Sequence, residues 1–449
     1  MLRGLGGYMA ERATDLYDVR DRATSELRGL PEPGVPALDG EVILVAHDLA
    51  PAETATLDPG TVKGIITEVG GPTSHTAILA AQLGIPAIVK ATGIMGVSDG
   101  EVLALDGGVG EVIIAPTPEE VSLLEERSRR RAVALAGSSG EGATYDGYRV
   151  KLLANIGTVD DAQRAAAYDL EGSGLFRTEF LFLERSDAPS LEEQTETYTN
   201  VLKAFGERRV VVRTLDAGAD KPLSFADLGA EENPALGVRG IRPSGPYPSI
   251  LANQLDAIAI AAMSAPETRV WVMAPMVSTI PEAQWFSAMV RQRRETYGVD
   301  LRAGIMVEAP SVAILIDQFL EAVDFVSIGT NDLTQYTMAA DRTSADLAEY
   351  ADPWQPAPLS LIAQVARAGA RAGKPVGVCG EAGADPLLAC VLVGMGVSSL
   401  SMASGAIPGV GAMLATVTMD QCEAAARAVV GARDGGEGRY RARRALGLV

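Results

Sequence analysis

The stretch VVVRTLD, residues 210–216, decides the fold class, because an apolar β-type run ends there in an arginine and an acid. Short runs of this kind, alternating with helical stretches, are typical of parallel α/β sheets. Eight such strands with intervening helices predict a closed (β/α)8 barrel spanning residues 143–432. The other seven are VKLLAN (150–155), SGLFR (173–177), VWVMAPM (270–276), AGIMVEA (303–309), FVSIGT (325–330), PVGVCG (375–380) and SLSMA (399–403).

Polar residues fall at one end of these predicted strands. In (β/α)8 barrels the chemistry lies at the carboxyl ends of the strands. A chance scatter of surface charge would not favour one end of every strand, so this placement indicates a functional site there. The residues concerned are Asn155, Arg177, Arg213, Asp216, Glu308, Asn331, Asp332 and Cys379.

Two carboxylates of this set suggest a metal site. Glu308 follows GIMV and Asp332 follows SIGTN, so both would lie at the carboxyl ends of neighbouring strands. Magnesium takes one or two protein carboxylates and fills its other positions with water and substrate oxygens. Calcium wants more protein oxygens, and zinc prefers His and Cys. The alternative is a structural salt bridge between these acids and an arginine at the barrel mouth.

Four arginines, Arg177, Arg213, Arg239 and Arg342, approach the same rim. The planar guanidinium binds phosphate and carboxylate bidentately, so one ligand carrying both groups would suit several of them. Each arginine taken singly is more often a structural ion-pair partner. The formal charge of −20 argues against nucleic acid or an anionic membrane as the main partner. A positive pocket in so acidic a protein indicates an anionic ligand.

The three cysteines form no CxxC pair, which fits a reducing cytoplasm. Cys379 is either a small buried hydrophobe or a weak acid placed over the pocket. Cys390 and Cys422 stand in apolar helical surroundings and are expected to be packing residues. The first residues of the chain are too charged for a signal peptide.

Residues 386–419 form a stretch without charged side chains, and the stretch is long enough to span a membrane. Glycines, a proline and several serines interrupt the stretch. A helix, a buried strand and the start of another helix are therefore predicted instead.

Ahead of the barrel the sequence predicts three further segments. Residues 1–30 hold a remnant N-terminal helix, near 8–29, and residues 31–116 form a small mixed α/β domain. Residues 117–142 form a connecting helix, opened by a Thr117–Glu120 capping box, and the flexible joint GSSGEG. The tail at 433–449 is expected to be poorly ordered and receives no role.

One of only two histidines occurs in GGPTSHTAILAAQLGI, residues 70–85. His75 would lie in the first turn of a helix near 76–83, where free N–H groups and the helix dipole favour an anion. A neutral imidazole is a competent nucleophile, and those N–H groups would hold a phosphorylated ring. The alternative is a histidine that caps its own helix. His47 lacks such a setting and is expected to be structural or at the surface.

These motifs identify a resemblance. GGPTSHTAILAAQLGIPAIV, GLFRTEFLFLER, GIMVEAPSVAIL, SIGTNDLTQYTMAADR and GVCGEAGADP, in this order, resemble the enzyme I family of the bacterial phosphoenolpyruvate (PEP)-dependent sugar phosphotransferase system. The resemblance implies a swivelling phosphohistidine domain joined to a PEP-binding barrel. It implies transfer of the phosphoryl group of PEP to His75, giving pyruvate, and then to the carrier protein HPr. Cytoplasmic location and a homodimer formed through the barrel are also implied.

The resemblance also assigns residues. The residues implied for PEP binding are Arg177, Arg213, Asn331, Asp332 and Arg342, and Arg239 is added here because it approaches the same rim. Glu308 and Asp332 are implied to hold Mg²⁺. Cys379 is implied to protonate the enolate as pyruvate forms.

The chain departs from the family pattern in places. The helical domain that docks HPr is expected to be missing from this sequence, and Pro72 and Ala81 stand where family members often carry arginine. Two competing interpretations follow. One is a fragment of an enzyme such as pyruvate phosphate dikinase or PEP synthase, although no nucleotide-binding loop is found. The other is a regulatory protein that senses PEP without transferring its phosphoryl group.

Overall fold

The computed structural model describes most of the chain. Its described residues are 40–49, 57–70, 85–107, 110–136, 142–183, 185–218, 223–226, 231–342 and 347–448, with single residues at 20, 24, 28, 76, 80, 83, 229 and 344. The chain divides into two compact units, Met1–Val133 with Thr343–Ala345 and Ala134–Arg342 with Asp346–Val449.

The first unit contains a parallel sheet and a separate β-hairpin. In the sheet β2 lies between β1 and β3, and Val62, Ile65 and Ile66 of β2 are buried. The sequence of this region predicts five short β-type runs, EVILVA, VKGIIT, AIVKA, VLALDG and EVIIA, and all five contain strands. Their bounds are β1 (Val42–Ala46), β2 (Val62–Thr67), β3 (Ala87–Ile88), β4 (Leu103–Asp106) and β5 (Glu111–Ile114). The predicted helices near 8–29 and 76–83 lie outside the described residues, except for single positions.

Helix α1 (Pro118–Ala136) begins with the predicted capping box. The backbone N–H of Thr117 donates to the Glu120 carboxylate at 2.7 Å, and the N–H of Glu120 donates to the Thr117 hydroxyl at 3.3 Å. This reciprocal pair satisfies two backbone donors that the helix itself cannot use. Of the predicted joint GSSGEG, only Gly142 is among the described residues.

The second unit contains the predicted barrel. Eight parallel strands pair in chain order, and the last pairs with the first through Ser399 opposite Lys151 and Leu400 opposite Leu152, so the sheet closes. The short strand β6 (Gly142–Ala143) adds antiparallel to the first of them. The eight are β7 (Arg149–Ile156), β8 (Gly172–Arg177), β9 (Arg209–Arg213), β10 (Arg269–Ala274), β11 (Leu301–Val307), β12 (Phe325–Ile328), β13 (Val376–Val378) and β14 (Ser399–Met402).

Helices follow the strands on the outside of the barrel. Their apolar faces form one large core with the outward faces of the strands. They are α2 (Val159–Ala166), α3 (Leu191–Phe205), α4 (Pro248–Ser264), α5 (Ile280–Tyr297), α6 (Pro310–Ile314), α7 (Ile316–Ala322), α8 (Thr330–Met338), α9 (Pro356–Ala372), α10 (Pro386–Gly394), α11 (Ile407–Leu414), α12 (Met419–Val430) and α13 (Gly435–Ala445).

Strand β9 shows how the sequence positions side chains on both faces of the sheet. Val210 and Val212 belong to the core shared with the helices, whereas Val211 packs inside the barrel with Met273 and Met306. Successive side chains on a strand point to opposite faces. Arg209 and Arg213 therefore point inward with Val211, from the two ends of the same strand.

The uncharged stretch 386–419 folds as predicted, into helix α10, the buried strand β14 and helix α11. Among the residues described, no helix combines the length and the apolar character that crossing a membrane requires.

The prediction of a poorly ordered tail is wrong for residues 435–445, which form helix α13. The Asp434 side chain accepts a hydrogen bond from the N–H of Glu437 at 2.8 Å and so caps the helix. Ala442 is fully buried and Leu446 nearly so, in the same core as α12. Glycines at the start of the helix and its four arginines make this short apolar face difficult to recognise in the sequence.

We expect the Ala442→Asp substitution to lower the stability of the barrel unit by about 3 kcal/mol, because it buries a carboxylate without a partner. Tyr440→Asp on the same helix is the control, since Tyr440 is exposed, and it should cost less than ~0.5 kcal/mol. Urea unfolding followed by circular dichroism measures both. Equal effects of the two substitutions would contradict a docked helix.

Candidate functional site

A cavity of about 340 Å³ opens at the carboxyl ends of the barrel strands. It brings together eight of the residues that the sequence singles out, which come from five strand ends and the loops beyond them. Those eight are Arg177, Arg213, Asp216, Glu308, Asn331, Asp332, Arg342 and Cys379, and Glu179, Gly329 and Glu381 also line the cavity.

Glu308 follows β11 at the floor of this cavity and is only 1% exposed. One carboxylate oxygen, Oε2, accepts a hydrogen bond from the backbone N–H of Met276 at 2.8 Å. Met276 has a φ of 53°, a left-handed conformation that is strained for a residue other than glycine. A Cβ atom on Gly329 would come within 2.8 Å of Oε1, so glycine is needed beside this carboxylate.

Burial, and then the nearby Asp332 and Asp216, raise the pKa of Glu308 to about 7, although Arg213 and the Met276 N–H oppose this rise. Desolvation and like charges both disfavour an ionised carboxyl group. The floor of the cavity therefore holds more negative charge than its own arginines neutralise. A bound cation would allow these acids to ionise together.

Two of the arginines are tied to acids. Arg213 pairs with Glu179 and, at 3.4 Å, with Asp216. Arg239 is 2% exposed and pairs with Asp216 at 3.2 Å and with Asp332 at 3.4 Å. Arg239 lies behind these two carboxylates, outside the lining of the cavity. These contacts show Arg239 as a structural ion-pair partner of the acids, which is the alternative interpretation for each single arginine.

The other two arginines are freer. Arg342 is about one third exposed, with Nη2 3.8 Å from Oδ2 of Asp332. The Arg177 guanidinium has no hydrogen bond or ion pair within the described part of the chain. Burial, and then the positive charge of Arg213, lower the pKa of Arg177. Arg177 also lines a second cavity of about 410 Å³, which opens towards β7 and β14. In either cavity, an anion could therefore bind the guanidinium of Arg177, which has no partner among the described residues.

Cys379 follows β13 and is buried at 2% exposure. Burial raises the pKa of its thiol to about 11, although a hydrogen bond with Ser327 opposes that rise. The thiol is therefore protonated at neutral pH and can donate a proton. The side chain of Asn155 donates to the Cys379 carbonyl at 3.2 Å and accepts from the Ser401 hydroxyl at 2.6 Å, so it fixes the backbone that carries the thiol.

Asn331 and Asp332 lie in the first turn of helix α8. The Asn331 side-chain oxygen accepts a hydrogen bond from the N–H of Glu381 at 3.1 Å, which joins this turn to the loop after Cys379. The predicted site residue His75 lies outside the described residues. His47 is exposed, and its Nδ1 lies 2.9 Å from the Glu68 carboxylate.

The sequence analysis missed Glu179 and Gly329. Glu179 is buried against Arg213, and the only signal for it was an acid two residues beyond the strand-end arginine in FRTEF. Gly329 stands in SIGTND, where nothing in the sequence indicates how close the Glu308 side chain comes.

A (β/α)8 barrel with arginines and carboxylates at its mouth defines a class of enzyme that binds a small anion. The family described as PEP-utilising enzyme, PEP-binding domain, matches residues 137–419, and the PEP-utilising enzyme, mobile domain, matches residues 38–110. The chain is thus a PEP-utilising enzyme.

Comparison with individual proteins identifies a narrower family within the PEP-utilising enzymes. A phosphoenolpyruvate-protein phosphotransferase of Streptomyces coelicolor is 50% identical over 99% of this chain, which covers 80% of that protein. Those of Staphylococcus carnosus and Haloferax volcanii are 41% and 42% identical over 89% and 94% of this chain, covering 71% and 76% of their lengths. The chain belongs to the phosphoenolpyruvate-protein phosphotransferase family, and PEP-dependent phosphotransfer is its activity. The resemblance found in the motifs is confirmed.

A solved structure described as an NMR solution structure of Enzyme I (nEIt) also matches. It is 39% identical over 27% of this chain and 50% of its own length, with a TM-score of 0.24.

Proposed function

We propose that the barrel cavity binds PEP with a magnesium ion, that His75 accepts the phosphoryl group, and that HPr then receives it. One observation carries the proposal. Arg177, whose guanidinium has no partner among the described residues, faces the same cavity as Arg213 and the Glu308–Asp332 pair. PEP carries a phosphate and a carboxylate, and guanidinium groups bind both kinds of oxyanion.

Glu308 and Asp332 suit a magnesium ion by their chemistry. Both are buried carboxylates, and the pKa of Glu308 is raised first by burial and then by the negative charges of Asp332 and Asp216, which a cation would offset. Among the described residues, no group of three or more His, Cys, Asp or Glu side chains is arranged to hold a metal. A pair of carboxylates that leaves positions for water and phosphate oxygens is the ligand set that Mg²⁺ uses. The bound ion would neutralise charge on the phosphate.

We expect Mg²⁺ binding to release protons, because the metal needs the ionised form of Glu308 and the pKa of this group is about 7. At pH 7 about half a proton should leave per metal bound, rising at pH 6 and approaching ~0 at pH 8.5. The affinity for Mg²⁺ should therefore increase with pH over this range. Calorimetry in buffers of different ionisation enthalpy measures the release.

Two variants sharpen this measurement. Glu308→Gln should release no protons, whereas Asp317→Asn, which alters an exposed carboxylate on α7, should behave as the wild type. Proton release that persists in Glu308→Gln would show that another group binds the metal.

The chain's own residues supply the chemical steps. Arg177 and Arg213 would hold the phosphate and oppose the charge that develops on its oxygens, in a largely loose transition state. An imidazole nitrogen of His75 forms a bond to phosphorus while the bond from phosphorus to the enol oxygen breaks. The enolate carbon then takes the proton of the Cys379 thiol, which gives pyruvate, and the thiolate regains a proton from solvent.

We expect Cys379→Ser to slow pyruvate formation by ~10²-fold while changing the KM for PEP little, because a positioned acid contributes about that factor. A coupled assay with lactate dehydrogenase measures the rate. Cys390→Ala is the matched control, since Cys390 is a buried cysteine of α10 outside the cavity lining. A wild-type rate of pyruvate formation in Cys379→Ser would show that the thiol is not the proton donor.

The proposal as a whole is tested by mixing the protein with PEP and Mg²⁺ in the absence of any acceptor. A burst of about one pyruvate per chain is expected, since His75 can be phosphorylated only once. Adding HPr should then give continuous turnover. PEP binding without a burst would favour the PEP-sensing alternative, and a burst without turnover would restrict the function to autophosphorylation.

From its family we further propose that the protein forms a homodimer through the barrel, is located in the cytoplasm and takes part in sugar transport. All three cysteines are free thiols, which supports a reducing compartment. Trp285 on α5, Ile314 at the end of α6 and the following Leu315 are large apolar side chains exposed to solvent, and a dimer that covered them would bury apolar area. Analytical ultracentrifugation tests the dimer.

A further inference from the structure

The amino-terminal end of the barrel, opposite the candidate site, carries cations that the proposed function does not use. We call Lys151, Arg209, Arg269 and Arg302 the basal cluster. They stand at the beginnings of β7, β9, β10 and β11. Among the described residues, Glu171 is the carboxylate that raises the pKa of both Lys151 and Arg209, and one such acid does not balance four neighbouring cations.

The barrel geometry holds this cluster together. Arg209 lies opposite Arg269 in the β9–β10 ladder, and Arg302 lies opposite Trp271 in the β10–β11 ladder. The guanidinium carbons of Arg209 and Arg302 lie 4.4 Å and 5.2 Å from the centre of the Trp271 ring. Both guanidinium groups thus make cation–π contacts with the same ring. These contacts offset part of the repulsion between the two arginines but do not neutralise their charge.

Arg209 is the least satisfied member. It is 6% exposed, and its Nε has no hydrogen-bond partner. No hydrogen bond or ion pair of its side chain is made with any residue the structure describes, and the same holds for Lys151 and Arg302. The pKa of Arg209 is lowered to about 10, mainly by burial; Glu171 opposes the lowering, and Arg269 and Arg302 add to it. Burying an arginine without its donors in use is costly unless a ligand engages them.

Two neighbouring cations show the contrast. Arg208 donates to the carbonyls of Phe205 and Ala166, and Lys374 donates to the carbonyl of Val323 at 2.8 Å. Their donors are engaged by backbone oxygens of the same end of the barrel. Of the basal cluster, only Arg269 makes such a bond, from Nε to the Glu207 carbonyl at 3.1 Å. The cluster therefore differs from ordinary cations that cap the turns at this end.

The interior of the barrel cannot supply the missing anion. The rings of Trp271 and Phe325, with centroids 4.6 Å apart, lie inside the barrel next to the cluster. The cavity beside Arg209, lined also by Ser327, Ser399 and Ser401, measures about 10 Å³, which is room for one water. Lys151, Arg269 and Arg302 are exposed, so the open side of the cluster faces solvent.

We propose that the basal cluster is a second anion-binding site, which takes a small phosphate-bearing molecule at the amino-terminal mouth of the barrel. Guanidinium groups bind phosphate through paired hydrogen bonds, and a phosphate of charge near −2 suits several converging cations better than a single carboxylate does. This site is separate from the PEP cavity and does not depend on the proposed function.

Calorimetric titration with pyrophosphate at low ionic strength tests the proposal. The wild type should bind two pyrophosphates, one in each site. The double variant Arg269→Gln/Arg302→Gln should weaken one of the two events by ~10-fold or more, since it removes two charged donors, and leave the other unchanged. Arg177→Gln should weaken only the other event. Raising the salt concentration should weaken the basal event, because the cluster is partly exposed.

The charge-matched control is Arg291→Gln/Arg367→Gln, which removes two exposed arginines from the outer helices α5 and α9. It should keep both binding events. A wild-type titration in which the Arg269→Gln/Arg302→Gln variant weakens no binding event would overturn the proposal, whereas loss of the other event alone would count only against anion binding in the PEP cavity. Equal weakening by the control variant would overturn the proposal as well, because the effect would then come from net charge alone.

Discussion

Replacing His75 by alanine is expected to reduce phosphate incorporation from PEP by at least ~10³-fold, because it removes the nucleophile that forms the phosphoenzyme. Binding of PEP should persist, since the residues that line the barrel cavity are unchanged. Acid-labile radioactive label retained on the protein after incubation with labelled PEP and Mg²⁺ measures the incorporation.

His47→Ala is the control for this experiment, because it removes the only other histidine of the chain. His47 is exposed and contacts the Glu68 carboxylate, so its loss should leave both folding and incorporation near wild-type values. If His47→Ala removed the label and His75→Ala kept it, the acceptor would have been wrongly assigned.

Arg213→Lys is expected to lower kcat/KM for PEP by ~10² to 10³-fold. Lysine keeps the positive charge near Glu179 and Asp216 but loses the planar fork, and thus one or two charge-assisted hydrogen bonds to the phosphate. A loss of about 3–4 kcal/mol of transition-state stabilisation corresponds to that change in rate. Initial rates of pyruvate formation with HPr in excess measure it.

Arg293→Lys makes the same exchange at a partly exposed ion pair with Asp256, where Nε lies 3.1 Å from the carboxylate. It should change kcat/KM by less than ~2-fold, because the pair lies at the helix surface and contributes little. Similar losses in both variants would mean that the Arg213 effect arises from folding rather than from contact with substrate.

The barrel strands could be predicted from the sequence because each is a short apolar run between helical stretches, and most have a polar residue at the carboxyl end, as in VVVRTLD. The pattern does not reveal which valine of β9 faces the interior. That depends on the closure of the sheet, which places Val211 inside and its two neighbours outside. Strand identity is a local property, whereas the inward face is set by pairings between residues far apart in the chain.

The site was predictable only in part, for a similar reason. Residue type and strand-end position indicated Arg177, Glu308 and Cys379, but Arg239 looks the same in sequence and lies buried behind the acids. The order of the tail was missed because helix α13 depends on the Asp434 cap and on packing against α12, not on a strong periodicity of its own. Contacts between distant segments decided both cases.

Mapping the phosphorylated residue tests the central claim most directly. The protein is incubated with PEP and Mg²⁺, digested at alkaline pH to preserve phosphoramidates, and analysed by mass spectrometry with fragmentation. The account predicts one phosphate, on the imidazole of His75, and much slower incorporation at the same residue when Arg213 is replaced by lysine. Phosphate on His47 or on a carboxylate, or a peptide containing His75 that stays unmodified while pyruvate forms, would contradict it.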